Sequence, residues 1–187
     1  MKLYLIRHGE SETNLAGHYT GWSQVKLTEK GVRDAEGIRP ILSGIKFDKI
    51  FSSDLIRAMK TAETAIPGCV YETSPLLREI NLGSLAHKPF LPADSEERKL
   101  IVDGYTAFGG ESNAELRARA TEFLDKVKLL ECDTVAAFTH AGILRTTLSI
   151  LFSANVNTTN FVCSNCCIVI LELKNGRWML NGLINPQ

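Results

Sequence analysis

The sequence opens with a short apolar run that ends in polar groups, Leu3-Tyr4-Leu5-Ile6-Arg7-His8-Gly9-Glu10. Such a run predicts a buried β-strand, with Arg7 and His8 at its carboxyl end. Residues 134–139 form a second run of the same kind, and His140-Ala141-Gly142 follow it. Ligands of open α/β sheets bind outside the carboxyl ends of the strands. We therefore predict that the two histidines belong to one site.

Length and composition indicate a single domain over residues 1–187, with 44% hydrophobic and 22% charged residues. The 21 basic and 21 acidic residues cancel. Because no charge run is present, we expect neither nucleic acid nor a membrane as partner, and an anion must be bound by local arginines. No signal-peptide pattern is visible, so we expect a cytoplasmic protein. The oligomeric state stays open, with a homodimer among the options.

The five cysteines, at positions 69, 132, 163, 166 and 167, are expected to be reduced thiols. Cys163-x-x-Cys166-Cys167 has the spacing of half a zinc site. However, a structural zinc ion takes four ligands, and no fourth cysteine or histidine lies near in sequence. We therefore interpret these residues as small buried side chains, and we expect neither a metal site nor another cofactor.

Strand patterns alternate with helical ones, which predicts an α/β fold with a mostly parallel sheet. Thr28 is predicted to cap a helix that Pro40 interrupts near Arg39. Ser52-Ser53-Asp54 are predicted to cap the helix that follows the second strand. Ser112 and Glu115 have the spacing of a capping box for a third helix.

The chain ends in two apolar runs joined by Asn175-Gly176, a strong hairpin signal that makes the last strand an antiparallel edge. The least regular stretch is 83–110, which holds two prolines, several glycines and a short charged run. We interpret it as an insertion that lies over the strand ends and selects the substrate.

Four places in the chain put polar groups at predicted strand ends or first helical turns. They are Arg7-His8, Arg57, Glu79 and His140. Two guanidinium groups aimed at one point bind phosphate oxygens with paired hydrogen bonds. A histidine between them is a nucleophile toward phosphorus, and a nearby carboxyl group can protonate the leaving oxygen. This set predicts phosphoryl transfer without a metal.

The sequence resembles the histidine phosphatase superfamily, in its phosphoglycerate-mutase-like branch, over nearly the whole chain. The Arg-Glu-Ile-Asn-x-Gly and Gly-Gly-Glu-Ser elements look most like the small α-ribazole-phosphatase-like members. The matching motifs are Leu5-Ile6-Arg7-His8-Gly9-Glu10-Ser11 with Asn14, Thr20-Gly21-Trp22, Leu27-Thr28-Glu29-Lys30-Gly31, Ser52-Ser53-Asp54-Leu55-x-Arg57-Ala58-x-x-Thr61-Ala62, Leu77-Arg78-Glu79-Ile80-Asn81-Leu82-Gly83, Gly109-Gly110-Glu111-Ser112 and Thr139-His140-Ala141-Gly142.

The resemblance implies a three-layer α/β/α sandwich and a phosphomonoesterase that acts on a small phosphorylated metabolite. It implies that His8 attacks phosphorus and becomes phosphohistidine, and that Glu79 donates the proton. It further implies that a group of side chains and backbone donors holds the phosphoryl oxygens. These are Arg7, Arg57 and His140, with Asn14 and the Thr20-Gly21 backbone.

Each site residue also has a purely structural interpretation. Arg57 could lie on the solvated face of its helix, Glu79 could pair with Arg78, and His140 could only end its strand. Ser11 and Asn14 could be helix caps alone. His18 and His87 are interpreted as loop residues with at most a role in substrate selection, and Arg145 as a surface or supporting residue.

The preferred function is a cytoplasmic, metal-independent histidine phosphatase, with α-ribazole phosphate as one candidate substrate. The alternative enzyme is a phosphoglycerate mutase, which needs a larger closed lid than residues 80–139 are expected to provide. A protein that binds phosphate without catalysis is a third hypothesis. It explains the arginines but leaves the nucleophile His8 without a purpose.

Overall fold

A six-stranded sheet forms the centre of the computed structural model, which describes residues 1–152 and 161–186. The strand order is β3-β2-β4-β1-β5-β6. The first four strands in chain order pair in parallel, whereas β5 is antiparallel to β1 and β6 is antiparallel to β5. The strands are β1 (Lys2–Arg7), β2 (Lys49–Ser52), β3 (Glu72–Thr73), β4 (Thr134–Thr139), β5 (Ile168–Lys174) and β6 (Arg177–Ile184).

Seven α-helices and three short 3₁₀ helices are found in the described residues. The α-helices are α1 (Glu12–Leu15), α2 (Glu29–Gly37), α3 (Arg39–Leu42), α4 (Ile56–Ala65), α5 (Glu96–Lys99), α6 (Asn113–Lys128) and α7 (Ala141–Leu151), and the 3₁₀ helices span Pro75–Leu77, Gly83–Leu85 and Thr106–Phe108. None of the helices in this part of the chain combines the length and the apolar character needed to cross a bilayer.

The strand residues alternate between two helical layers. Leu3 and Leu5 of β1 belong to the core cluster that contains residues of α6 and α7. Tyr4 and Ile6 belong to the opposite cluster, with residues of α2, α3 and α4. Successive side chains of a strand point to opposite faces, so one central strand contributes to both cores. The predicted three-layer α/β/α sandwich with an antiparallel edge strand is confirmed.

Local sequence signals set several helix ends as predicted. The Thr28 side chain accepts a hydrogen bond from the backbone N–H of Gly31 and begins α2. The helix breaks at Ile38, and Pro40 lies in the first turn of α3, where its missing N–H leaves no helical hydrogen bond unmade. Ser112 and Glu115 form the predicted reciprocal capping box at the start of α6.

The predicted cap of α4 is wrong. The helix begins at Ile56, and its N-cap residue Leu55 makes no capping hydrogen bond. The side-chain oxygen of Gln24 accepts from the backbone N–H of Ile56 at 2.9 Å instead. Ser53 and Asp54 make other contacts instead. The Ser53 hydroxyl lies 2.9 Å from Nε2 of His140, and the Asp54 carboxylate is paired with Arg78. Hydrogen bonds to His140 and Arg78, which are distant in sequence, thus outweigh the preference of serine and aspartate for helix caps.

Candidate active site

A cavity of about 780 Å³ opens at the carboxyl ends of β1 and β4. Its wall includes seven of the eight residues that the sequence predicted for the site. They are Arg7, His8, Asn14, Thr20, Gly21, Arg57 and Glu79. The eighth, His140, is fully buried beside His8, with the two ring centroids 5.1 Å apart. Strand ends that are far apart in sequence therefore bring the predicted groups together.

The hydrogen bonds of His8 fix one neutral tautomer. Nδ1 lies 2.6 Å from the carbonyl oxygen of Gly9, which can only accept, so Nδ1 carries the proton. Nε2 lies 3.2 Å from Nε of Arg57, which can only donate, so Nε2 offers its lone pair. Both bonds require the same protonation state. The side chain is 4% exposed and presents its nucleophilic nitrogen to the cavity wall that Arg57 forms.

Electrostatics support this tautomer. Burial lowers the pKa of His8 well below its usual value, and the charges of Arg57 and Arg7 lower it further. The hydrogen bond to Gly9 acts in the opposite direction and is outweighed. The expectation that neighbouring cations keep His8 neutral is confirmed, although burial is the larger cause.

Arg57 does not lie on the solvated face of its helix, because its side chain is fully buried. Besides its contact with His8, it donates to the carbonyl oxygens of Gly21 (2.8 Å) and Ser23 (2.9 Å). Burial lowers the pKa of Arg57 to about 10, which still leaves it charged near neutral pH. A guanidinium group has five N–H donors, so donors remain for a ligand.

Arg7 completes the cationic side of the site. One of its terminal nitrogens donates to the carbonyl oxygen of Cys163, and its Nε has no partner among the described residues. Burial lowers the pKa of Arg7, while the charge of Glu79 raises it. Because Arg7 also lines the cavity, its guanidinium group is placed to donate to an anion that enters.

His140 is supported from the strand side. Its Nε2 contacts the Ser53 hydroxyl, whereas its Nδ1 is buried without a partner in the described part of the chain. Burial lowers its pKa well below the usual value, with Arg57 and His8 adding to the effect. A serine hydroxyl can donate or accept, so Nδ1 is able to carry the proton and act as a donor.

Glu79 is held at the amino end of α7. Its two carboxyl oxygens accept from the backbone N–H groups of Ile80 (2.9 Å) and Gly142 (3.2 Å). A Cβ atom on residue 142 would stand 2.0 Å from Oε1 of Glu79, so only glycine permits this approach. Arg78 is paired with Asp54, which rules out the interpretation of Glu79 as the partner of Arg78.

The backbone of Glu79 is fixed by residues to which the sequence gave no role. Trp22 donates from its indole nitrogen to the Glu79 carbonyl oxygen at 2.6 Å. Arg119 donates to the same oxygen and to the carbonyls of Leu76 and Arg78. Arg119 is itself fixed by two hydrogen bonds to Glu111. Only Glu111 and Trp22 lay in motifs that the sequence singled out.

Asn14 belongs to a helix cap and also lines the cavity, and its role as a donor to phosphoryl oxygens stays a prediction. Its side-chain oxygen accepts from the backbone N–H of Ser11, within the capping box that begins α1, and the residue also lines the cavity. Thr20 and Gly21 line the same wall. Gly21 has a φ of +54°, and its carbonyl oxygen is the acceptor of Arg57, so the turn serves the arginine as well as the cavity.

The remaining wall comes from residues that sequence reasoning underrated or left out. Arg145 is half-buried and faces the cavity, and His18 also lines it, whereas His87 is absent from the wall. Segment 83–110 contributes several wall residues. They are Phe90, Arg98, Ile101, Val102, Gly104 and Tyr105.

Comparison with known proteins identifies the family. The family model of the histidine phosphatase superfamily, branch 1, matches residues 3–186. The chain belongs to this superfamily. One relative, described as a probable phosphoglycerate mutase GpmB of Proteus mirabilis, is 31% identical over 195 residues, covering 98% of this chain and 90% of the relative.

Solved structures of the superfamily share the architecture. A phosphoserine phosphatase mutant from Entamoeba histolytica, in complex with phosphoserine, has a TM-score of 0.84 at 28% identity, covering 97% of this chain and 95% of its own. An Escherichia coli protein assigned provisionally as an alpha-ribazole-5'-P phosphatase has a TM-score of 0.86 at 23% identity, covering 99% and 97% of the two chains. The latter likeness concerns the fold alone.

The buried neutral histidines predict that stability falls in acid. In the unfolded chain His8 and His140 regain an ordinary pKa near 6.5, whereas in the folded chain both are lower. Below about pH 6.5 the unfolded state therefore binds more protons, and the free energy of unfolding decreases as the pH falls toward 5. Each histidine contributes up to about one proton of uptake, which is on the order of 1 kcal/mol per pH unit.

Urea unfolding between pH 5 and 7.5 measures this slope. The slope reports how many protons the chain takes up on unfolding, and His8→Asn should lower this number by about one. His87→Asn is the matched control, because His87 is exposed and its φ of +66° suits asparagine. An unchanged slope in His8→Asn would contradict the assignment of a buried neutral histidine.

Proposed function

We propose that this protein is a metal-independent phosphomonoesterase that hydrolyses a small phosphorylated metabolite through a phosphohistidine on His8. The observation that carries the proposal is the locked tautomer of His8, whose unprotonated Nε2 lies at the cavity wall, where its lone pair accepts from Nε of Arg57 until phosphorus takes that place. A binding protein needs the cations but has no need of an unprotonated nucleophile. The superfamily to which the chain belongs supports the same chemistry.

In the first step Nε2 of His8 attacks phosphorus and the bond from phosphorus to the ester oxygen breaks. Glu79 gives its proton to the departing oxygen. The ring gains positive charge as the new bond forms, and the Gly9 carbonyl at 2.6 Å stabilises the Nδ1–H that shares this charge. The negative charge of the transition state lies on the phosphoryl oxygens, where Arg7, Arg57 and the Nδ1–H of His140 act as fixed donors.

In the second step water attacks phosphorus and the bond to Nε2 breaks. The carboxylate left on Glu79 accepts the proton from water, and the electron pair returns to His8. Splitting the reaction in this way is ordinary covalent catalysis. The process returns His8 and Glu79 to their starting protonation states, so no co-reactant besides water is needed.

Access of water favours a phosphatase over a phosphoglycerate mutase. A mutase must keep its phosphoenzyme away from water while the intermediate is turned. Here the wall residues Phe90 and Val102 are 53% and 82% exposed, so the cavity is open to solvent on the side of segment 83–110. The named relative keeps the mutase as the second candidate.

His8→Ala should abolish turnover of p-nitrophenyl phosphate and of alkyl phosphates, because His8 is the histidine whose Nε2 contacts Arg57 at the cavity wall. Rapid quench with a labelled phosphomonoester should trap an acid-labile, base-stable phosphoprotein in the wild type only. His87→Asn serves as control and should label normally. Activity should also survive extensive dialysis against chelator.

Four outcomes would contradict this proposal. Label retained by His8→Ala would move the nucleophile elsewhere. Loss of activity on chelation that a divalent ion restores would show a metal enzyme. Interconversion of phosphoglycerates faster than phosphate release would make the protein a mutase, and binding without any turnover would make it a phosphate-binding protein.

Glu79→Gln should cost more on alkyl phosphates than on p-nitrophenyl phosphate. An alkoxide needs a proton to leave, and a positioned acid is worth about a hundredfold to ten-thousandfold in rate. Nitrophenolate leaves unaided, so its kcat should fall far less if phosphorylation of His8 limits both rates. Glu122→Gln, an exposed position on α6, controls for the change of charge. Equal losses on both substrates would assign Glu79 a structural or binding role.

Gly142→Ala tests the placement of Glu79 without changing its chemistry. The added Cβ would stand 2.0 Å from Oε1, so the carboxyl group must move. We expect the ratio of alkyl to p-nitrophenyl turnover to fall, in the same direction as in Glu79→Gln but by less. Gly37→Ala is the control, because a Cβ there meets nothing within 4 Å. The same ratio in both variants would show that the position of Glu79 has no effect on leaving-group protonation.

A further inference from the structure

The cavity holds more positive charge than a phosphate group can neutralise. Five guanidinium groups line it, and Glu79 is the one carboxylate in the described part of its wall. Arg7 and Arg57 lie beside His8 and account for the phosphoryl group, whose charge is at most about −2. The other three arginines are Arg98, Arg117 and Arg145, and no part of the proposed mechanism uses them.

These three outer arginines form no salt bridge with aspartate or glutamate among residues 1–152 and 161–186. Arg145 does donate from Nε to the carbonyl oxygen of Phe161 at 3.2 Å, and it hydrogen-bonds the Cys163 thiol. The stretch 153–160 contains neither aspartate nor glutamate. The contrast with Arg78 and Arg119 is clear, because those two arginines bind Asp54 and Glu111. The acidic residues of segment 83–110 do not line the cavity.

The outer arginines come from three different elements. Arg98 belongs to α5, Arg117 to α6 and Arg145 to α7, where it lies one helical turn beyond Ala141 and Gly142 on the same cavity-facing side. Three like charges on the wall of one cavity repel one another until an anion enters. The charge of Arg145 already lowers the pKa of Arg7, so the inner and outer cations share one field.

Two tyrosines fix the geometry of this outer region. Arg98 donates from Nη1 to the hydroxyl oxygen of Tyr19 at 3.1 Å, and the rings of Tyr19 and Tyr105 lie 6.2 Å apart. Burial raises the pKa of Tyr105 to about 12 against the opposing charges of Arg98 and Arg145, so its hydroxyl keeps its proton. The region therefore offers guanidinium groups and a neutral hydroxyl together, which are donors that suit a planar carboxylate or a phosphate.

We propose that Arg98 and Arg145, with Arg117 at the rim, bind a second anionic group of the substrate, and that the protein acts on phosphomonoesters which carry a carboxylate or a second phosphate. This inference rests on the proposed function for the first group, the phosphate held at His8. It makes substrates with uncharged tails, α-ribazole phosphate among them, poor ones.

Matched pairs of ligands test the outer site independently of catalysis. The protein is His8→Ala, in which the phosphate should stay bound without being transferred, and the measurement is isothermal titration calorimetry. Two pairs differ only by a carboxylate in place of a hydroxymethyl group, at two lengths. They are 3-phosphoglycerate with glycerol 3-phosphate, and 6-phosphogluconate with sorbitol 6-phosphate. A third pair, fructose 1,6-bisphosphate with fructose 6-phosphate, tests a second phosphate.

We expect the more acidic member of at least one pair to bind on the order of ten- to a hundredfold more tightly, as for hydrogen bonds between charged groups. The pair that shows the preference tells whether the second group is a carboxylate or a phosphate. Adding Arg98→Gln and Arg145→Gln should abolish the preference. Arg33→Gln removes a solvent-exposed arginine of α2 and should preserve it.

The same preference should appear in wild-type kcat/KM, which guards against misfolding of His8→Ala. Equal binding of both members in all three pairs would overturn the inference, as would a preference that survives loss of both arginines or the absence of any binding. Turnover of p-nitrophenyl phosphate without any preference would overturn the outer site and leave the phosphatase standing. A preference in binding without turnover by the wild type would support the outer site and overturn the proposed phosphatase activity.

Discussion

The hydrogen bond between Nε of Arg57 and Nε2 of His8 is the contact on which the rest of the site depends. It keeps Nε2 of His8 unprotonated and places a positive charge directly beside this nitrogen at the cavity wall. A fully buried guanidinium is tolerated only if its donors are satisfied. The carbonyl oxygens of Gly21 and Ser23 satisfy two of them, so the loop after α1 is shaped by the needs of the arginine.

The acidic side of the site is built by a different principle. Glu79 has no cationic partner of its own at hydrogen-bonding distance among the described residues, and backbone N–H groups hold its carboxyl group instead. Its main chain is anchored through Arg119, whose charge is balanced by Glu111. The Arg119–Glu111 ion pair thus contacts the backbone of Glu79 and not its carboxyl group. This arrangement fixes Glu79 without joining its carboxyl group to a salt bridge.

The sequence predicted the fold and the inner site well because both depend on local signals. Apolar runs set the strands, Pro40 and the Ser112–Glu115 pair set helix ends, and polar residues at strand ends converge in any parallel sheet. The cap of α4 could not be predicted in this way. Ser53 faces His140 and Asp54 faces Arg78, both of which are distant in sequence, and these contacts outweigh the local preference.

The sequence analysis placed segment 83–110 over the strand ends, but it could not identify the individual cations of the outer wall, for a related reason. Arg145 follows helical spacing and reads equally well as a surface residue, because its meaning depends on which face of α7 meets the cavity. Arg98 lies in an irregular segment whose path no periodicity reveals. Only its contact with Tyr19 shows that it turns inward.

The inner and outer parts of the cavity differ in how deeply their side chains are buried. His8 and Arg57 are buried among strand ends and a packed helix, where a change of one side chain disturbs several partners. Arg98 and Arg117 are exposed on short or amphipathic elements and support little of the core. Substitutions in the outer wall therefore cost little stability. In the mechanism that we propose, the outer charges can therefore be exchanged while His8 and Arg57 are kept, which separates the choice of substrate physically from the chemistry.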